Sequence, residues 1–276
     1  MNTQGDGRRS PLLKAAAAGL VTSQVRHENA WFPGSVTGGL ALIAGPALWL
    51  TALILRYAGL ETSNLPADQR ARLAAEPVAA PGQLVAYVEN PGLVIAGYST
   101  FAAACIIVSF AVITFGRVAA ERSYHLAQLG AVAVVASLAA RLYFLGVELT
   151  AFRLVDALGL EDATRFVMDS YVELSYGLSY VPVAASAGAL LGGVLLSLGA
   201  LRAGTIGAGR CVLLMSWAWT FLGVLKDSDG GSISGGVALC IVMVPLGVRV
   251  LGGRVSVLRT QAVPEPLDRR FPAWLW

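Results

Sequence analysis

Four acidic side chains stand close to aromatic ones along the apolar part of this chain: Glu148, Asp169, Glu173 and Asp227. Glu148 lies in LYFLGVELTAFRLVD, residues 142–156, which continues an apolar run that begins near Leu126. On a helix, Arg141, Phe144, Glu148 and Phe152 recur at i, i+3, i+7 and i+11, which is one face. Asp169, Glu173, Tyr176 and Tyr180 repeat a similar spacing in DSYVELSYGLSY, residues 169–180. A third segment, SWAWTFLGVLKDSDG at 216–230, sets Trp217, Trp219 and Phe221 one to two turns before Lys226 and Asp227.

Such a set has a chemical use. A carboxylic acid buried among apolar groups has its pKa raised and keeps its proton near neutrality. It can then deliver H⁺ to an olefin or an epoxide. The carbocation that forms is stabilised over aromatic faces, each contributing about 0.5–2 kcal/mol. Glu148, Asp169, Glu173 and Asp227 are therefore the candidate catalytic acids. Arg141, Phe144, Phe152, Tyr176, Tyr180, Trp217, Trp219 and Phe221 are the candidate substrate-binding side chains. The competing reading is structural: aromatic belts mark membrane interfaces, acids in a loop face water, and Arg141 with Glu148 fixes helix packing.

Other chemistries lack their residues. There is no DDxxD-like motif for a magnesium cluster, no P-loop, no GxSxG and no HExxH. KDSDGG at 226–231 opens like a calcium loop but has no glutamate at its twelfth position, so it reads as a turn. His27 and His125 stand apart, and Cys105, Cys211 and Cys240 all sit in apolar runs. No metal site and no cofactor are expected.

The elements that carry these residues must cross a membrane. Of 276 residues, 56% are hydrophobic and 13% charged, about half the charge of a soluble domain, and mean hydropathy is +0.66. Windows of about 20 apolar residues occur near 37–57, 93–116, 126–148, 180–201, 209–225 and 233–251. The expected fold is all-α: a polytopic membrane helix bundle with about six spans plus interfacial helices. Residues 1–36 form an N-terminal tail with a short interfacial helix at 11–25, residues 37–251 the transmembrane domain, and residues 252–276 a C-terminal tail. In the 58–92 loop, Pro66 opens a short helix, and a second piece over Gln83–Asn90 is stopped by Asn90-Pro91. Ala184, Gly188 and Gly192 make a small-residue stripe suited to close helix approach. Pro46, Pro182 and Pro245 are expected to kink their spans.

Charge sets the orientation. Arg8, Arg9, Lys14 and Arg26, then Arg117 and Arg122, Arg202 and Arg210, and finally Arg249, Arg254, Arg259, Arg269 and Arg270 fall on alternate sides of successive spans. By the positive-inside rule both termini are cytoplasmic, and the long acidic loops are external. No basic patch interleaved with aromatics appears, so no nucleic-acid partner is expected.

The segments LYFLGVELTAFRLVD, SYVELSYGL and GVLKDSDG, with AAPGQLVAYVENPGLV at 79–94, resemble a group of actinobacterial membrane proteins over most of residues 38–251. In size, span number and its pairing of acids with aromatics, the chain also resembles the integral membrane terpene cyclases of the bacterial drimentine and fungal meroterpenoid types. That resemblance implies a multi-pass protein of the bacterial plasma membrane. It implies a metal-independent, acid-initiated cyclisation of a farnesyl-type chain on a small molecule in natural product biosynthesis. The partners would be membrane lipids and a lipophilic prenylated substrate. It carries over no catalytic position. The alternatives from the residues are a proton-coupled small-molecule transporter and a non-enzymatic membrane-assembly subunit.

Overall fold

A computed structural model describes residues 33–63, 66, 68, 71–73, 79–170, 180–220 and 230–255. The chain there is helical throughout: α1 (Ser35–Glu61), α2 (Ala80–Glu89), α3 (Pro91–Ala120), α4 (Tyr124–Leu158), α5 (Leu160–Asp169), α6 (Val181–Arg202), α7 (Ala208–Trp219) and α8 (Gly230–Leu251). Five of these, α1, α3, α4, α6 and α8, are long and apolar enough to cross a membrane. The protein is thus an all-α membrane bundle. The window expected at 209–225 is described as the 12-residue α7, about 18 Å long. Its remainder, 221–225, lies outside the described residues, as do the 11–25 helix and most of the one after Pro66.

Helix ends follow local chemistry. Asn90 closes α2, and Pro91 opens α3 at a position where its missing N–H is no loss. Helix α4 runs for 35 residues, about 52 Å, well beyond the hydrocarbon thickness. It stops at Gly159, whose φ of +84° suits a residue without a side chain. Helices α1 and α8 continue through Pro46 and Pro245.

The bundle is a chain of packed neighbours. α8 packs on α1, α1 on α3, α3 on α4 and α4 on α6, while α7 touches both α6 and α8. The short helices α2 and α5 pack on each other, and both rest on α4. Helices α4 and α6 approach closely. A methyl group placed on Gly192 would lie 2.7 Å from Ala133 Cβ and 2.9 Å from the Gly130 oxygen. The packing face of α6 thus runs through Ala189, Gly192, Leu196 and Gly199. The stripe expected from spacing shares only Gly192 with it, so the packing face is rotated: Ala184 is exposed, and a Cβ on Gly188 meets no neighbour. Spacing alone cannot choose among the stripes of a helix that is small and apolar all round.

Helices α1, α3, α4, α6, α7 and α8 alternate in direction, so the connections fall at two ends. At one end Gly39 abuts Val250 and Leu251, Gly38 abuts Thr114, and Gly199 abuts Ala127. At the other end Gly97 abuts Arg56, and α2 and α5 cap the bundle.

Candidate functional site

The charged centre of the bundle lies under this cap, between α1, α3 and α4. Arg56 comes from the last two turns of α1, on the stripe that also holds Trp49 and Leu53. Gly97 of α3 leaves room for it, since a Cβ there would sit 3.1 Å from Arg56 Cγ. The Arg56 Nη2 lies 3.6 Å from Glu148 Oε1 of α4, with side chains 9% and 24% exposed. Arg56 also donates a hydrogen bond of 3.4 Å to the Tyr98 hydroxyl. Its guanidinium carbon is 4.4 Å from the Tyr98 ring centre and 5.1 Å from that of Phe101. A cation so placed is attracted by both ring faces.

Aromatic rings extend from this point in both directions. Phe101 meets Trp49 at 4.7 Å, and Trp49 meets Trp217 edge-on at 5.9 Å. On the other side Tyr98 meets Phe152 at 5.0 Å, and Phe152 stacks on Tyr87 of α2 at 4.9 Å. The Tyr87 hydroxyl then donates to Asp156, 3.0 Å from each carboxylate oxygen. Burial, and then this carboxylate, push the Tyr87 phenol above its ordinary value. Asp156 in turn pairs with Arg153 at 3.4 Å on the surface. Six aromatic rings thus connect the middle of the bundle to its capped end.

The structure brings together part of the predicted set. Arg141, on the same helix as Glu148, interacts electrostatically with Arg56, Cys105 and Glu148. Phe144 and Phe152 are buried on α4, and Trp217 is buried at the far end of the ring series. Tyr180 and Trp219 are each 64% exposed, and Asp169 lies on the exposed side of α5. Glu173, Tyr176, Phe221 and Asp227 lie outside the described residues. The candidate residues named from the sequence lie in or beside the expected spans at 126–148, 180–201 and 209–225. The described centre instead recruits α1, α3 and α2. Arg56, Tyr98, Phe101, Trp49 and Tyr87 were missed. The available signal was the Trp49–Leu53–Arg56 spacing, i, i+4 and i+7, which puts the arginine on a buried stripe.

An apolar groove of about 500 Å³ runs between α4 and α5, lined by Leu142, Tyr143, Gly146, Thr150, Leu154 and Phe166 among others. It lies on a different face of α4 from Glu148 and Phe152. The Thr150 hydroxyl in its wall donates to the Gly146 carbonyl at 2.8 Å. Among the described residues no three His, Cys, Asp or Glu side chains gather as metal ligands would.

No family model, curated protein or solved structure matches the chain.

Proposed function

We propose that this protein is a proton-coupled membrane carrier for a small organic anion, with Arg56 and Glu148 as the coupling pair. The observation that carries this reading is the ion pair itself. Two opposite charges meet at 3.6 Å beneath the α2–α5 cap of an apolar bundle, and one of them is more than nine-tenths covered. Ionisable groups at membrane depth are costly and commonly mark ion or substrate paths. Protonation of Glu148 would cancel its charge while the rings of Tyr98 and Phe101 keep Arg56 in place. The guanidinium fork would then accept a carboxylate or phosphate group in place of Glu148. Proton and anion would bind together and leave together.

A test uses proteoliposomes with an entrapped pH-sensitive dye, challenged with small carboxylates and organic phosphates. The expected outcome is anion-dependent internal acidification by wild type, none by Glu148→Gln, and loss of anion binding by Arg56→Gln. Equal acidification by wild type and Glu148→Gln would refute the role of the pair.

A terpene cyclase is the second reading, supported by the six-ring aromatic series and by the apolar groove, which has room for a prenyl chain. Its difficulty lies in charge state. A proton donor to an olefin holds its proton at rest, whereas an ion pair with Arg56 requires Glu148 to be charged. The acid would then be sought among Asp169, Glu173 and Asp227. Conversion of a farnesylated small molecule to a cyclic isomer, read by mass spectrometry and NMR, would favour this reading over the carrier.

A further inference from the structure

The two ends of the bundle differ in charge. Arg117, Arg122, Arg202, Arg210, Arg249 and Arg254 all lie at the end away from the α2–α5 cap, and Glu121 is the one acid there among the described residues. Packing brings these separate stretches together. Arg122 comes within 3.9 Å of the space beside Gly204. Arg117 donates to the Pro33 carbonyl at 3.3 Å. Arg210, in the first turn of α7, and Arg249, in the last turn of α8, stand at adjoining ends of two helices that pack on each other, where their like charges repel. Both are half-buried, where repulsion is screened less than in open water. Exposed Leu201, Val212, Val248 and Leu251 lie at the same end of the bundle.

We propose that this end of the bundle is a docking surface for an anionic phospholipid, with Arg210 and Arg249 together holding the headgroup phosphate. The charge pattern favours an anion: arginines from α3, α6, α7, α8 and the turns beside them lie at one end, with a single acid among the described residues there. The exposed leucine and valine side chains at the same end favour a lipid over a soluble anion, because they offer apolar surface to acyl chains. Arginine suits the site, since its planar fork matches two phosphate oxygens. The surface is independent of the Arg56–Glu148 pair, which lies toward the opposite end.

Native mass spectrometry of the full chain in non-ionic detergent tests this, with phosphatidylglycerol, phosphatidylcholine and glycerol 3-phosphate as probes. Wild type should retain phosphatidylglycerol at least about tenfold more tightly than phosphatidylcholine, a preference that weakens with salt. Arg210→Gln with Arg249→Gln should lose most of it, about fivefold per arginine. Arg153→Gln with Arg165→Gln, at the capped end, should leave it intact. If the first double variant does not fold, the exposed pair Arg122→Gln with Arg254→Gln should still weaken phosphatidylglycerol binding. Equal retention of the two lipids overturns the proposal. So does an equal loss in the capped-end control, unchanged binding in the folded basic-end variants, or displacement of the lipid by an equal concentration of glycerol 3-phosphate.

Discussion

Arg56 of α1 and Glu148 of α4 meet at 3.6 Å across the interior of the bundle, joining the first and third membrane-crossing helices by charge. Neither helix could slide or rotate without separating them. Removing one partner strands the other in an apolar setting. A fully dry pair would lose about 3–5 kcal/mol. About a quarter of the Glu148 side chain is exposed, so we expect about 2–3 kcal/mol for Glu148→Gln or Arg56→Gln. Thermal unfolding in detergent should show the Arg56→Met, Glu148→Leu double variant to be more stable than either single one. Additive losses would mean that the two residues are not coupled.

Tyr87 and Asp156 make a second link, from the cap to α4. The folded state holds the Tyr87 proton more tightly than the unfolded chain, whose phenol titrates near 10. This contribution is therefore fully present below pH 10 and is lost as pH rises through the folded value. Wild type should lose melting temperature more steeply above pH 10 than Tyr87→Phe does. Parallel curves for the two proteins would remove the linkage.

The α4–α6 contact depends on bare backbone at Gly192. Gly192→Val should destabilise by about 1–3 kcal/mol or more, because the atoms it would meet include the Gly130 carbonyl. Gly188→Val, four residues earlier and facing open space, should change stability by less than about 0.5 kcal/mol. Similar losses at both positions would contradict the helix rotation described above.

We expect the basic end to face the cytoplasm. A cysteine at the exposed Ala157 position should react with an impermeant thiol reagent in intact cells, and one at the exposed Ala208 position only after lysis. The inverse pattern would turn the bundle over.

Much of the fold was legible because apolar length alone marks a span: α1, α3, α6 and α8 each fall within a few residues of an apolar window, and α4 covers its own window and runs on to Leu158. The small-residue stripe of α6 was not, because Ala184, Gly188, Ala189, Gly192 and Gly199 leave several faces equally able to pack. At the site, Glu148 and Phe152 stood out as an acid and an aromatic on one helical face. Arg56 did not, because a cation near the end of an apolar run is normally read as an anchor at the interface. Its burial depends on a glycine 41 positions later, Gly97, which admits the guanidinium beside α3. The Tyr87–Asp156 link spans 69 residues, and no local pattern reports it.

The most direct test of the coupling pair is the pH dependence of anion binding, using the anion that gives the strongest acidification in vesicles. If the anion takes the place of Glu148 on Arg56, each binding event takes up one proton. Affinity should then rise about tenfold for each unit of pH decrease over the range in which the empty protein holds Glu148 charged. Glu148→Gln should bind with little pH dependence. A wild-type affinity that is the same at pH 6 and pH 8, or a Glu148→Gln protein that keeps the full wild-type slope, would contradict the account.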